Sequence, residues 1–380
     1  MKCPHCNFER EESFKFCPMC GLKSVNDEVL EENNAENQPK TDEIPIQPET
    51  ITFVRRVPNG FTEKTYNERK EIKKLSRLSA CALLSLSLIS NFIVLFLYRF
   101  LMCFGVMPEK TSAFLSDPFV SQFFQITVSS FMFIVPFTFF FKLAGYKISK
   151  IIDFNLPKTK AWLPLVLIGI GFCAFANMST GIASSIFEGF GINYEVDFGE
   201  NPQGVLGIIL SILATAVVPA LVEEFACRGI LMGALRKFGD GFAVLTTAIM
   251  FGLMHGNFQQ IPFAFMVGLI LGYVAVKCNS IWPAVLIHFY NNLSSVIFDY
   301  VFDGMAVQLQ NVIYTVYLVI CLLVGLIGVL LLSKNVEIFK FSTSDTEASE
   351  KQKYKWFFLT ETTIFAIVLF LVESLQYFVK

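Results

Sequence analysis

The chain has 380 residues, of which 54% are hydrophobic and only 16% are charged, against about 25% charged residues in a typical soluble domain. A soluble protein of this composition would expose large apolar patches, so most of the chain is expected to lie in a lipid bilayer. The net charge of -2 excludes a chain-wide basic surface for nucleic acid, and the low share of charged residues excludes a disordered polyelectrolyte.

Residues 1–23 contain two closely spaced cysteine pairs, in the sequences CPHC and CPMC. Two CxxC turns supply the four thiolates that a tetrahedral zinc site prefers, and so short a segment folds only with a metal. The alternative, a redox CxxC, normally occurs as a single motif beside a βαβ pattern, and the sequence has no such pattern. We therefore predict a zinc ribbon with a Zn²⁺ ion held by Cys3, Cys6, Cys17 and Cys20. Because thiolates persist in a reducing compartment, this ribbon is expected to be cytoplasmic.

Residues 24–77 join the predicted ribbon to the first long apolar run. Up to about residue 50 the segment is acidic, rich in Asn, Gln and Pro, and nearly free of aromatic residues, which is typical of a disordered linker. From Arg55 to Arg77 it becomes basic and ends in the run ERKEIKKLSR. Basic residues beside a span favour the cytoplasmic side, so this juxtamembrane segment also places the N-terminal region in the cytoplasm.

Residues 78–380 form the predicted transmembrane domain. A span needs roughly 20 apolar residues, and runs as long and uniform as these favour helices over barrel strands. The apolar runs lie at about 78–104, 119–141, 161–186, 204–225, 242–257, 261–277, 281–300, 312–332 and 356–379. The sequence therefore predicts an all-α, polytopic transmembrane helical bundle of about eight or nine spans, in a multi-pass membrane protein with a small N-terminal zinc ribbon.

Polar residues form three clusters inside these runs. Strongly polar side chains at membrane depth are costly, and they usually face a cavity and mark a functional site. At a helical rise of 1.5 Å per residue, Glu224, His255 and Asn292 lie about 18, 20 and 18 Å from the cytoplasmic ends of their runs. All three clusters thus fall near the middle of the bilayer. Their members are Glu223, Glu224 and Arg228, then Phe251, His255 and Asn257, and finally His288, Asn291 and Asn292.

Spacing suggests separate roles for the two adjacent carboxylates. Glu224 and Arg228 are four residues apart, share a helix face, and are expected to form the ion pair that a buried Arg requires. Glu223 is rotated by about 100° and has no local partner. It is therefore left free to act as a general base.

The other two clusters supply the remaining groups of a hydrolase. His288 and Asn292 are also four residues apart, and together they offer one helix face with an imidazole and an amide donor, which suits an oxyanion. His255 is expected to share a water molecule with Glu223. A carboxylate, two imidazoles and an amide around one water indicate hydrolysis.

The residues alone leave other classes of protein open. Polar residues inside spans also serve ion transport and helix packing, so a non-catalytic membrane transporter and a scaffold or immunity protein are alternatives to a hydrolase. Isolated polar residues are interpreted differently, because a single amide normally makes an interhelical hydrogen bond. Asn91 and Asn177 belong to this group.

The three clusters match the motifs EExxxR, FxxxH and HxxxN in that order. On these motifs, the region from about 205 to 300 resembles the CPBP family, the CAAX-protease and bacteriocin-processing (Abi) intramembrane proteases. The resemblance implies an all-helical intramembrane endopeptidase acting on a peptide or protein that is prenylated or embedded in the bilayer. The family includes type II CAAX prenyl endopeptidases, which cut near the C-terminus of prenylated proteins.

The resemblance also implies a role for each motif residue. Glu223 and His255 would activate water, His288 and Asn292 would stabilise the oxyanion, and Glu224 with Arg228 would be the structural ion pair. Family members are often called metalloproteases, and two His and a Glu can hold Zn²⁺ with an open position. A metal-free, glutamate-activated water fits equally well, so the resemblance leaves the catalytic metal open.

We expect one tightly bound Zn²⁺ per chain, held by the four N-terminal cysteines and independent of catalysis. Metal analysis of the purified protein checks this, because deleting residues 1–23 should remove the zinc and leave the membrane domain able to cleave its substrate. Zinc that stays after this deletion, and is lost only when His255 and His288 are replaced, would instead identify a metal site inside the membrane.

Overall fold

A computed structural model describes residues 58, 60–104, 107–194, 200–342 and 344–379, together with two short strands. These strands, β1 (Lys23–Ser24) and β2 (Phe53–Val54), pair antiparallel. The chain divides into two compact units, Met1–Asn67 and Glu68–Lys380, and the second contains the polar clusters. The predicted zinc ribbon with its four cysteines and most of the predicted linker lie outside the described residues.

Helices make up most of the regular structure in the described part of the chain. They are α1 (Glu63–Cys103), α2 (Pro108–Leu115), α3 (Pro118–Leu143), α4 (Ile148–Ile151), α5 (Trp162–Gly189), α6 (Gly204–Phe238), α7 (Asp240–Leu253), α8 (Gln260–Cys278), α9 (Trp282–Phe302), α10 (Val307–Leu332), α11 (Glu350–Phe358) and α12 (Glu361–Ser374). Short 3-10 turns lie at Val336–Phe339 and Leu375–Tyr377, and strands β3 (Asn193–Tyr194) and β4 (Phe378–Val379) pair antiparallel.

The prediction of an all-helical, multi-pass membrane protein is confirmed, but the expected eight or nine spans are too many. Among the described residues, six helices are long and apolar enough to cross a membrane, or seven if α11 and α12, bent by 70°, form one span. Helix α7 has only 14 residues and is about 21 Å long, shorter than the hydrocarbon core of about 30 Å. Helix α9 has 21 residues, but polar His and Asn side chains interrupt its apolar sequence.

Helix α1 begins at Glu63, well before the first apolar run at residue 78, so the basic juxtamembrane segment is part of this helix from Glu63 onwards. Ile72 and Leu75 are fully buried at a three-residue spacing, which places them on one helix face. The Ser76 hydroxyl next to them donates to the carbonyl of Phe357 at 2.5 Å and bonds to two threonine hydroxyls at 2.6 and 2.7 Å. The segment is therefore packed against the C-terminal helices.

Helix α6, which carries the first motif, is continuous but not uniformly α-helical. Two π-helical segments, Ile212–Val217 and Phe225–Met232, flank the short α-helical stretch Val218–Glu224. π-helical segments are rare in proteins, and those that occur are often found at functional sites. Pro219 lies between them and has no backbone N–H, so the carbonyl of Thr215 has no α-helical donor four residues later.

Glycines bring the backbones of α5 and α10 into contact. A Cβ atom at Gly171 would lie 2.6 Å from the Cα of Gly325, and a Cβ atom at Gly328 would lie 2.6 Å from the carbonyl oxygen of Pro164. Small residues at interfaces between membrane helices permit this close approach, and van der Waals packing then stabilises the pair. The contact fixes α5 beside α10.

Tyr194 in β3 joins three segments of the chain. Its ring stacks on Phe187 and meets Phe378 edge-on, with centroid distances of 4.9 Å in both cases. Its hydroxyl donates to the carbonyl of Ser374 at 3.2 Å and accepts from the backbone N–H of Phe258 at 2.7 Å. The end of α5, the segment after α12 and the turn between α7 and α8 are therefore held together.

We expect Gly171→Ala to lower the unfolding temperature in detergent, because the added methyl group forces α5 and α10 apart at a cost of about 1–3 kcal/mol. Gly181→Ala is the matched control in the same helix, since a Cβ atom there meets nothing within 4 Å. The control should be neutral or stabilising, because Ala favours helix over Gly by roughly 0.5–1 kcal/mol. Equal unfolding temperatures for the two variants would contradict the close contact.

Candidate active site

The carboxylate of Glu224 joins the first and third motifs. Its Oε1 atom accepts hydrogen bonds from Arg228 Nη1 at 2.7 Å and from His288 Nδ1 at 2.9 Å. The side chains of Glu224 and Arg228 are both fully buried, so this ion pair has no contact with solvent. Arg228 Nη2 also donates to the carbonyl of Gly268 on α8, at 3.2 Å. One buried charge pair therefore connects α6, α8 and α9.

Glu224 also determines which nitrogen of His288 carries a proton. A carboxylate that is paired with Arg228 only accepts, so His288 Nδ1 is the donor. The opposite nitrogen, Nε2, lies 4.0 Å from Oε2 of Glu223, a distance that is too long for a hydrogen bond. Among the described residues, this buried oxygen of Glu223 has no hydrogen-bond partner. Each of the two carboxylates keeps one buried oxygen without a partner among the described residues, but only Glu224 is held by Arg228 and His288 through its other oxygen.

The ring of Phe251 lies between the charged and imidazole groups of the site. The guanidinium carbon of Arg228 lies 4.3 Å from its centroid. The rings of His255 and His288 approach it at 5.0 and 6.0 Å, with interplanar angles of 73° and 90°. Such cation–π and edge-to-face contacts stabilise the packing and exclude water from one side of the site. The first residue of the second motif is therefore a common apolar wall.

His255 follows the end of α7 and is held by its own turn. Its Nδ1 donates to the carbonyl of Phe251 at 2.8 Å, which leaves Nε2 as the free nitrogen of a neutral ring. In the part of the chain that the structure describes, no hydrogen bond connects His255 to Glu223 or His288. His255 and His288 thus both contact the ring of Phe251, and His255 makes no direct hydrogen bond to Glu223 or His288.

The turn after His255 is closed by residues of the second cluster. Gly256 has a φ of +62°, which a residue without a side chain adopts easily. Asn257 accepts from the backbone N–H of Gln260 at 2.8 Å and donates to its side chain at 2.9 Å, so it caps the start of α8. Asn257 also donates to the carbonyl of His255 at 3.3 Å, so it shapes the turn that carries His255.

Asn292 contacts α6 at the irregular part of that helix. Its Nδ2 donates to the carbonyl of Thr215 at 3.0 Å, which is the carbonyl that Pro219 leaves without an α-helical donor. One of the two N–H groups of the Asn292 amide is therefore used for helix contact. The carbonyls of Thr215 and Gly268 could not be identified as partners from the sequence, because every residue type carries this group. For Thr215 alone the sequence contains a signal, because Pro219 leaves the carbonyl four residues earlier without an α-helical donor.

Two imidazoles and a carboxylate are a set of donors that Zn²⁺ accepts. In the described ranges, however, no three His, Cys, Asp or Glu side chains are grouped so that they share one metal ion. His288 directs Nδ1 at Glu224, and His255 directs Nδ1 at a backbone carbonyl. These bonds leave Nε2 of both rings available, as in many metal-binding histidines. Because the described side chains do not form a three-ligand group, no step proposed below passes through a metal.

Comparison with known proteins finds a family match over the stretch that carries the three motifs. Residues 205–294 match the family model described as type II CAAX prenyl endopeptidase Rce1-like. This stretch is therefore similar to the type II CAAX prenyl endopeptidases. It contains every residue of the three motifs, from Glu223 to Asn292, and the rest of the chain lies outside the match.

A bacterial relative also resembles this chain. "Putative membrane peptidase YdiL" of Bacillus subtilis (strain 168) is 30% identical over 138 residues, which are 35% of this chain and 55% of that protein. The chain thus spans about half the length of the curated relative that it matches. No solved structure matches the chain. The chain is therefore a multi-pass membrane protein, part of which is similar to CAAX-type peptidases.

We expect Arg228→Ala to destabilise the protein more than Glu223→Gln does. Removing Arg228 leaves the buried carboxylate of Glu224 without its cationic partner, at a cost of roughly 3–5 kcal/mol. Glu223→Gln removes a charge that has no hydrogen-bond partner on Oε2, so it should leave stability unchanged or raise it. Thermal unfolding in detergent measures both variants, and comparable unfolding temperatures would contradict this division between the two carboxylates.

Proposed function

We propose that the chain is an intramembrane endopeptidase of the CPBP/CAAX-protease type. It hydrolyses a peptide bond of a membrane-associated or lipidated substrate with a water molecule that Glu223 and His255 activate. The observation that carries this proposal is the buried Oε2 of Glu223, which has no hydrogen-bond partner among the described residues and lies beside the Glu224–Arg228 ion pair. A carboxylate held in this way in an apolar site can accept a proton, because no other group occupies its lone pairs.

The reaction begins with the attacking water. Glu223 takes one proton from it while His255 Nε2 accepts a hydrogen bond from its other O–H, and the oxygen attacks the scissile carbonyl carbon. The carbonyl oxygen becomes an oxyanion as the tetrahedral intermediate forms. Glu223 then returns the proton to the leaving nitrogen, and the C–N bond breaks. The products are a new carboxylic acid, which keeps the second proton of the water, and a new amine, so atoms and protons balance.

His288 and Asn292 stabilise the oxyanion in this proposal. Because His288 Nδ1 donates to Glu224, the ring is held in place, and a proton on Nε2 makes it a donor to the oxyanion. The N–H of Asn292 that Thr215 does not use is the second donor. Donors fixed before the reaction begins stabilise developing charge most effectively in a site that excludes water.

The substrate in this proposal is a peptide or protein in contact with the bilayer, prenylated or membrane-embedded. The supporting observation is the position of the site on helices that belong to the apolar bundle. A farnesylated peptide that ends in a CAAX sequence is the first probe, because the matching family model bears that name. The proposed zinc of the N-terminal cysteines has no part in the reaction.

We expect Glu223→Gln to lower turnover of this peptide in liposomes by at least ~10²-fold, the lower limit for loss of a general base. Glu188→Gln, an exposed carboxylate at the end of α5, is the matched control and should cleave at the wild-type rate. Mass spectrometry of the peptide products measures the rate. New peptide termini in cell membranes, compared between wild type and Glu223→Gln, extend the test to natural substrates.

Two outcomes would overturn the proposal. Full activity in Glu223→Gln would show that Glu223 is not the general base. Solute flux across liposomes without any new peptide terminus, in the peptide assay and in cell membranes, would identify a transporter.

A further inference from the structure

Three side-chain amides form a continuous chain of hydrogen bonds from α5 through α9 to α6. Asn177 Nδ2 donates to Asn291 Oδ1 at 3.2 Å, and Asn291 Nδ2 donates to Asn292 Oδ1 at 3.1 Å. Asn292 Nδ2 completes the chain at the carbonyl of Thr215. Asn292 alone among these amides belongs to a motif, and Asn177 lies outside residues 205–294.

Both ends of this amide chain fix its direction. Asn177 Nδ2 also donates to the carbonyl of Cys173 at 3.0 Å, and the other end is the carbonyl of Thr215. A carbonyl oxygen only accepts, so each amide between the ends points its oxygen toward α5 and its nitrogen toward α6. Rotating one amide by 180° would set two oxygens or two NH₂ groups against each other, at a high cost because Asn291 is buried.

We propose that Asn177 and Asn291 are positioning residues for Asn292. The inference rests on the proposed function, in which the second N–H of Asn292 stabilises the oxyanion. That N–H has no partner among the described residues. The amide chain fixes the orientation of the Asn292 side chain, so that Nδ2 with this N–H, and not the amide oxygen, occupies the position near Thr215. A reversed Asn292 would present an oxygen in place of this donor and would repel the developing negative charge.

A purely structural hydrogen bond between α5 and α9 has different consequences. It would stabilise the packing of the two helices and leave the turnover of the folded enzyme unchanged. A positioning role instead lowers kcat with little effect on KM, because the oxyanion exists only during the reaction. It also requires that the effect of Asn177 disappear once the Asn292 amide has been removed.

The test uses Asn177→Leu, Asn292→Leu and the double variant in the full-length protein, with the farnesylated CAAX peptide as substrate. Leu keeps the branched shape of Asn and removes its hydrogen bonds. We expect Asn292→Leu to lower kcat by about 10²-fold, as for loss of one oxyanion donor. Asn177→Leu should lower kcat by roughly 10-fold and leave KM within about twofold of wild type. The loss is smaller than the ~10²-fold expected when a catalytic group is fully misplaced. The double variant should be no slower than Asn292→Leu.

Asn91→Leu is the matched control, because Asn91 also lies in a candidate span and bonds only to the carbonyl of Ser87 in its own helix. It should leave kcat within about twofold of wild type, as expected for a residue without catalytic contact. Wild-type kcat in Asn177→Leu, or a loss that persists unchanged in the Asn292→Leu background, would overturn the positioning role. The proposed function would survive either result as long as Asn292→Leu is impaired.

Two further outcomes separate the inference from the proposed function. A fully active Asn292→Leu enzyme would remove the oxyanion role on which the inference depends. If wild type cleaves no peptide, the proposed function fails, and the unfolding temperatures of the same variants test the amide chain by itself. Non-additive destabilisation by the two substitutions supports the chain, and additive destabilisation overturns it.

Discussion

A carboxylate that is fully buried must be neutralised, and the arrangement of the catalytic region depends on how Glu224 meets this requirement. Its two donors come from different places, Arg228 one turn later on α6 and His288 on α9. The guanidinium also contacts α8 through the carbonyl of Gly268 and α7 through the ring of Phe251. Because an unpaired charge costs several kcal/mol in an apolar interior, these four helices are fixed relative to one another by one ionic group.

The pairing of Glu224 through Oε1 explains why its neighbour remains available. Successive residues on a helix point about 100° apart, so Glu223 cannot share the donors of Glu224. The ionisable group that approaches Glu223 is the imidazole of His288, whose Nε2 lies 4.0 Å from Oε2 of Glu223. The same histidine therefore contacts the structural carboxylate with one nitrogen and faces the reactive one with the other.

The sequence predicted the contacts that depend on spacing along one helix better than those between helices. The four-residue spacing of Glu224 and Arg228 implied their pairing, and depth along the spans implied that the motifs lie at one level. The position of a residue along its span gives its depth in the membrane but not the direction in which its helix face points. The sequence therefore does not predict the bond from His288 to Glu224. Asn177 was interpreted as an interhelical hydrogen bond, and it does bond to Asn291 on α9. The span count failed because α7 ends at Leu253, too short to cross the bilayer, and because polar side chains interrupt the apolar sequence of α9.

The π-helical segments of α6 affect how this helix is compared with others. A π turn contains one residue more than an α turn, so a helical wheel drawn at a uniform angle through Gly204–Phe238 assigns the wrong face after each segment. A relative that lacks one segment can keep the same site and still align with a one-residue gap inside an unbroken helix. Gap penalties that forbid such breaks would shift the Glu-Glu-Arg motif out of register, and structure-based alignment avoids that error.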